Sequence, residues 1–289
     1  MIVAAVHVLN VISPEARALA ASLTKFGAPR WLSEGYAFDL PIAAPPQEAL
    51  AEARAIASDM PADINVVAAA HRRKRLLIAD MDSTIITCEC LDELADFAGL
   101  KDKISAITER AMRGEIAFEG ALKERVGMLK GLPLATLERV WTERIHLTGG
   151  AKELLATMKA FGARALLVSG GFTFFTARVA QAAGFDEARA NRLIDDGKAL
   201  TGEVGLPILG KEAKLAALED ETQRLGLLFE ETMAVGDGAN DLKMIERSGL
   251  GVAFHAKPKV AAAAHARIDH ADLRGLLYLQ GYADGDIVT

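Results

Sequence analysis

Leu76-Leu77-Ile78-Ala79-Asp80-Met81-Asp82-Ser83-Thr84 is the stretch on which the fold of this chain turns. Four apolar residues between Arg75 and Asp80 predict a short strand buried on both faces, as in a parallel sheet. Asp80 and Asp82 then emerge where the strand runs out, at the mouth of the sheet. Carboxylates so close together repel, and desolvation costs each of them several kcal/mol unless a cation or a donor answers it. A metal ion together with an anionic substrate would resolve that conflict. The same string also suits an Asx turn in which Ser83 and Thr84 cap a helix, so by itself it leaves both readings open.

Downstream of Asp80 the pattern turns helical from about Cys88 to His146, with Phe118, Leu122, Val126 and Leu129 among the apolar positions. Strands then alternate with helices: helix 150–161, strand 164–168, helix 172–183, helix 211–225, strand 232–235, helix 241–247 and strand 251–254. Such alternation predicts an α/β fold with a parallel sheet covered on both faces. The segment 190–209, with Asp196-Gly197 as its turn, predicts a hairpin. Upstream, the chain predicts strand 3–9, helix 14–26 opened by Ser13-Pro14, strand 36–40, helix 47–58 and strand 63–68. One further strand is expected near Arg30–Ser33, giving a small ferredoxin-like α/β unit. The basic run His71-Arg72-Arg73-Lys74-Arg75 that follows is expected to be a solvated linker.

The chain's 289 residues suffice for two domains, and its 51% apolar content for a sizeable core. A net charge of −6 argues against broad electrostatic binding of nucleic acid. An anionic substrate must therefore be drawn in by local cations. Cys88 and Cys90 are too few for a disulfide framework and are expected to be reduced thiols of a cytoplasmic protein. The apolar start at 1–12 lacks a basic leader, and no apolar run approaches the roughly 18 residues that span a bilayer, so no membrane partner is expected.

Ligands of open α/β sheets bind beyond the carboxyl ends of the strands, and three predicted strands end in polar residues suited to one site. The first ends in Asp80 and Asp82, the second in Ser169-Gly170-Gly171, the third in Gly236-Asp237-Gly238-Ala239-Asn240-Asp241. The glycines let backbone N–H groups approach an anion, and the carboxylates suit a hard cation. Each segment alone is an ordinary turn; their coincidence at equivalent strand ends is the signal. Other frameworks are absent: no G-x-x-x-x-G-K-[ST], no H-E-x-x-H, and Leu167 stands where a G-x-S-x-G elbow needs glycine.

These four strings, Asp80-x-Asp82-Ser83-Thr84, Ser169-Gly170, Lys214 and Gly236 to Asp241, resemble the ordered motifs of the haloacid dehalogenase superfamily. With Glu89 and the pair Phe118 and Arg125, they resemble its phosphoserine phosphatase family in particular. The resemblance covers roughly residues 73 to 260. It implies a Rossmann-like core at 73–87 and 148–289, a helical cap at 88–147, and a separate unit at 1–72, which is similar to ACT-type regulatory modules. It further implies Asp80 as nucleophile, Asp82 as general acid and base, and Mg²⁺ held by Asp80, the Asp82 backbone carbonyl and Asp237. Asp241 is implied behind those ligands, orienting metal-bound water. Ser169, Gly170, Lys214 and Asn240 are implied to hold the phosphoryl group. Lys214 is preferred to Lys211 because its distance in sequence from Asp237 fits the family better.

Phe118 and Arg125 stand nearly two helical turns apart and so share a face. Arg125 is implied to grip the substrate carboxylate, Glu89 its ammonium, and Phe118 to shield the closed site. The expected substrate is O-phosphoserine, with a homodimer as one possible assembly. A phosphotransferase of the same superfamily, passing the group to homoserine, stays open at this point. So does an amino-acid-sensing protein with a vestigial site, although the loop 10–14 lacks the glycine common in such sensors.

Overall fold

A computed structural model describes residues 7–43, 45–112 and 115–289. The chain begins with β1 (His7–Ile12), α1 (Ala16–Ser22), β2 (Arg30–Ser33), β3 (Ala37–Ile42), α2 (Pro46–Ile56) and β4 (Asp63–Ala68). The four strands form an antiparallel sheet ordered β2-β3-β1-β4, the βαββαβ arrangement of a ferredoxin-like unit. Its own core joins Leu9, Val11, Phe38, Leu40 and Ile64 of the strands to Leu19 and Ala53 of the helices.

Three expectations need correction here. The first strand runs to Ile12 instead of stopping at Leu9, and the part expected at 3–6 lies outside the described residues. Asn10 is held in the strand because its buried amide donates to Asp39 Oδ1 at 2.9 Å and to the Tyr278 carbonyl at 3.1 Å. Pro14 does not open the helix: the Ser13 hydroxyl accepts from Glu15 N–H at 3.0 Å in a turn, and α1 starts at Ala16. The basic run is not a solvated linker throughout. Arg72 and Lys74 turn inward while His71, Arg73 and Arg75 face solvent. Arg72 is seated by Asp39, with Nη1 at 2.6 Å from Oδ2 and Nη2 at 2.8 Å from Oδ1.

β5 (Leu76–Ala79) follows, and every residue in it is fully buried. Leu77 and Ala79 enter one core layer while Leu76 and Ile78 enter the other, the period-two partition of a central strand. A helical insertion comes next: α3 (Cys90–Phe97), α4 (Lys101–Met112), α5 (Phe118–Gly127) and α6 (Leu134–Arg144). Its two necks are tied side by side, Thr87 N–H donating to the His146 carbonyl at 3.1 Å and Thr148 N–H to Ile85 at 2.9 Å.

The chain then continues through α7 (Ala151–Ala160), β6 (Arg164–Phe172), α8 (Thr173–Ala183), β7 (Glu187–Asn191), β8 (Leu193–Asp195), β9 (Leu200–Val204) and α9 (Lys211–Arg224). It closes with β10 (Thr232–Gly236), α10 (Leu242–Arg247), β11 (Leu250–Phe254), α11 (Pro258–Ala263), β12 (Ala266–Ile268) and α12 (Gly275–Leu279). Six strands make a parallel sheet ordered β12-β11-β10-β5-β6-β7, and β8 with β9 forms the expected hairpin. The chain winds from β5 outward through β6 and β7, then returns to the other side of β5 for β10 to β12. The strand order thus reverses beside β5, which is where such sheets open a crevice.

The antiparallel unit is fastened to the β12 edge. The Asn65 carboxamide donates to the Arg267 carbonyl at 2.8 Å and accepts from its N–H at 2.9 Å. The Asp63 carboxylate accepts from the N–H groups of Asp269 at 2.6 Å and Ala271 at 2.8 Å. No helix among the described residues is long and apolar enough to cross a membrane.

Candidate active site

The ends of β10, β5 and β6 lie side by side, and they bring Asp237, Asp80 and the Ser169-Gly170-Gly171 segment to one mouth. A cavity of about 510 Å³ opens there, walled on the other side by the helical insertion. Asp80, Asp82, Asp237, Gly170 and Asn240 line it from below, and Glu89, Phe118 and Arg125 from above. Most of the residues singled out in the sequence therefore face one volume. Ser169, Lys214 and Asp241 stand behind that lining, each almost fully buried.

Asp80 leaves β5 in extended conformation, its Oδ1 accepting from Met81 N–H at 2.7 Å. Lys214, from the first turns of α9, places Nζ 2.7 Å from Asp80 Oδ1 and 2.6 Å from Asp241 Oδ1. Burial alone would lower the lysine's pKa, but the two carboxylates more than reverse that, so it stays charged. The Asn240 amide reaches Asp80 Oδ2 at 3.4 Å. Asp241 also accepts from Gly238 N–H at 3.0 Å, which makes it the clasp of its own loop. Gly236 is required by that clasp: a Cβ there would lie 2.4 Å from the Asp241 carboxyl group.

Asp82 is held by both oxygens. Oδ1 accepts from Cys90 N–H at 2.9 Å, and Oδ2 from the Ser169 hydroxyl at 3.2 Å. Burial, with the charge of Asp80 adding, pushes its carboxyl up to about 6. Ser169 therefore orients Asp82, and its oxygen in turn accepts from Gly171 N–H at 2.8 Å. Ser83 adopts a left-handed backbone (φ 55°) that a non-glycine residue takes at a cost. The cost is offset by its hydroxyl, which donates to Glu89 Oε1 at 2.6 Å. Burial, then the charge of Asp82, raises Glu89 to about 7.

The residues present fit a divalent cation. Asp80, Asp237 and Asp241 offer carboxylate oxygens all within 4.8 Å of one another, a hard-donor set. Against these three, Lys214 supplies one buried positive charge. Burial and the charge of Asp80 accordingly push both Asp237 and Asp241 upward, the latter to about 8. Two further positive charges would restore balance.

Arg125, on α5, donates from Nε to the Ala121 carbonyl and from Nη1 to Thr108 Oγ1, both at 3.3 Å. Among the described residues it has no carboxylate at ion-pair distance. Phe118, seven residues earlier, is 41% exposed, its ring resting near Gly170 and Gly210. Sequence reasoning missed Lys257, Thr108 and Asp92, which also line the cavity. It missed Asn191 as well, a buried amide behind Gly170. None lies in a glycine-rich or paired-acid string, so no sequence signal marked them.

A family model for haloacid dehalogenase-like hydrolases matches residues 77–246. The chain belongs to that family. Among haloacid dehalogenase-like proteins it is 47% identical to a phosphoserine phosphatase of Archaeoglobus fulgidus over 71% of this chain and 60% of that protein. A solved structure of a probable phosphoserine phosphatase from Vibrio cholerae, 32% identical, superposes with a TM-score of 0.81 over 96% of this chain and 88% of that one. A phospho-aspartyl intermediate analogue of a phosphoserine phosphatase, 41% identical, superposes with a TM-score of 0.65 over 71% of this chain and 98% of that one.

Proposed function

We propose that this protein is a Mg²⁺-dependent phosphatase that hydrolyses O-phosphoserine to serine and inorganic phosphate through an aspartyl-phosphate. Phosphate monoesters are among the slowest uncatalysed hydrolyses, with enzymatic accelerations up to about 10²¹-fold. An anionic nucleophile meeting an anionic phosphoryl group needs neutralisation and in-line positioning above all.

Asp80 is the nucleophile: a carboxylate oxygen bonds to phosphorus while the bond to the serine oxygen breaks. Asp82, whose raised pKa suits a proton donor near neutrality, protonates the departing alkoxide. It then takes a proton from the water that attacks phosphorus and releases phosphate from Asp80. Lys214 holds Asp80 in register and balances its charge. The Gly170 N–H, with Asn240, donates to the phosphoryl oxygens, and Ser169, whose oxygen accepts from Gly171 N–H, steadies Asp82. Asp80, Asp237 and the Asp82 backbone carbonyl would hold Mg²⁺, with Asp241 behind them. When bound, the cation neutralises charge on the transferring group.

The observation that carries the substrate reading is Arg125. A half-buried guanidinium with no carboxylate partner among the described residues faces a cavity whose floor carries the reacting carboxylates. A planar fork in that position suits a substrate carboxylate, and Glu89 across the cavity suits an ammonium. The pair reads the zwitterionic end of a phosphoamino acid. The names of the similar proteins support the same reading. Phosphate release across a panel of phosphorylated metabolites tests it, with and without homoserine as acceptor. Phosphoserine is expected to lead the panel, and Asp80→Asn to reduce turnover to background while the fold is retained. Near-wild-type turnover by that variant, or phosphohomoserine as product, would overturn the proposal.

A further inference from the structure

Strands β6 and β7 lose register between Val168 and Phe172, and there Gly170 and Gly171 line the cavity while Ser169 stands buried behind it. Such a bulge aims N–H groups at a ligand but strips the carbonyls behind of their ladder partners. Asn191, the last residue of β7 and 1% exposed, answers that need. Its Nδ2 donates to the Gly170 carbonyl at 2.8 Å and to the Leu209 carbonyl at 3.2 Å. Its Oδ1 accepts from Leu209 N–H at 2.7 Å. One carboxamide thus uses both donors and its acceptor, closing the base of the β8–β9 hairpin and fixing Gly170 in the same act.

The two segments it joins have a further meeting point. A Cβ built on Gly170 would lie 3.5 Å from the Phe118 ring, and one on Gly210 would lie 3.6 Å from it. Leu209-Gly210 also leads directly into α9, the helix that carries Lys214. The cradle turn, the seat of the Phe118 ring and the start of the lysine helix therefore share one buried amide.

We infer that Asn191 is a positioning residue of the reaction: by bracketing Gly170 to Leu209 it holds the phosphoryl cradle in register with Lys214 and Phe118. This rests on the reading of Gly170 as part of that cradle. Asn191→Leu removes every hydrogen bond, Asn191→Asp turns a carboxylate toward two carbonyl oxygens, and Asn191→Ser keeps one short donor. Cradle geometry matters most when charge develops on the phosphoryl oxygens, so the loss belongs in kcat.

The test compares kcat and KM for phosphoserine and for p-nitrophenyl phosphate, inhibition by inorganic phosphate, and the folded fraction by thermal unfolding. In folded Asn191→Leu and Asn191→Asp, kcat is expected to fall about tenfold or more on both esters, with KM changed less than about threefold. Inhibition by inorganic phosphate should weaken in the same variants. Asn191→Ser should recover part of the loss, and it decides the matter if the other two do not fold. A kcat within about twofold of wild type in folded Asn191→Leu or Asn191→Asp, or in Asn191→Ser where neither of those folds, or a loss that only tracks the unfolded fraction, would overturn the inference. A wild-type enzyme that spares phosphoserine but cleaves the aryl ester counts against the substrate assignment alone. The aryl ester would then still report on Asn191.

Discussion

At the scale of single residues, the proposed function divides the cavity between groups for the phosphoryl end of a substrate and groups for the rest of it. Arg125 belongs to the second set, since Ala121 and Thr108 occupy only part of its fork. Arg125→Ala is expected to lower kcat/KM for phosphoserine about 100-fold, because a buried charge-assisted pair is lost. An aryl phosphate without a carboxylate should lose less than about threefold. Steady-state kinetics on the two substrates checks this, and equal losses would remove the case for carboxylate recognition. Metal removal belongs at the same scale: three clustered carboxylates face one lysine, so stripping by a chelator should abolish turnover, and added Mg²⁺ should restore it. The acidic and glycine-rich strings were legible in the sequence because their chemistry needs neighbours close along the chain. Asn191 and Lys257 were not, because each acts across a gap that only the fold closes.

Elements explain why those residues meet. β5 was legible to the residue as a short apolar run bounded by charge, and so was β4, Asp-Ile-Asn-Val-Val-Ala, from its β-branched residues. The hairpin was legible from Asp196-Gly197, whose glycine adopts φ 85°. β7 escaped notice: Glu-Ala-Arg-Ala-Asn turns only small alanines toward the core, and as an edge strand its Glu187 and Arg189 join Arg164 and Glu221 in ion pairs. Charged edges of this kind resist further strand pairing, and they hide from hydrophobicity-based reading. The loop after β10 makes a sharper demand. Gly236→Ala would drive a methyl group against the Asp241 carboxyl, displacing it from Lys214 and Gly238. A destabilisation of about 1–3 kcal/mol is expected, with a large loss of activity. Urea unfolding and kinetics would register both, and an unchanged enzyme would refute the packing argument.

Across the whole molecule, the antiparallel unit and the parallel sheet are joined by apolar contacts, with Ile12, Leu32, Ala37 and Val67 entering the core of the parallel sheet, and by buried polar ones. Arg72 is central, gripping Asp39 with two hydrogen bonds and donating from Nε to the Leu279 carbonyl at 2.8 Å. Arg72→Ala leaves the Asp39 carboxylate buried without its cation, so a loss of about 3 kcal/mol is expected. Thermal and urea unfolding followed by fluorescence would measure it, and a change within about 0.5 kcal/mol would mean that the pair is not a structural joint. The inward turn of this arginine could not be read from a run of five basic residues, because its partner lies on a different sheet.

The fastening of Asn65 and Asp63 to the β12 edge carries one more consequence. A terminal strand of a parallel sheet ordinarily displays a row of unused amides that can recruit a stray chain. Here a carboxamide and a carboxylate imitate the missing neighbour, satisfying those amides without continuing the ladder. The two sheets abut without fusing into one ribbon, and among the described residues these contacts occupy the border where a stray chain would otherwise add.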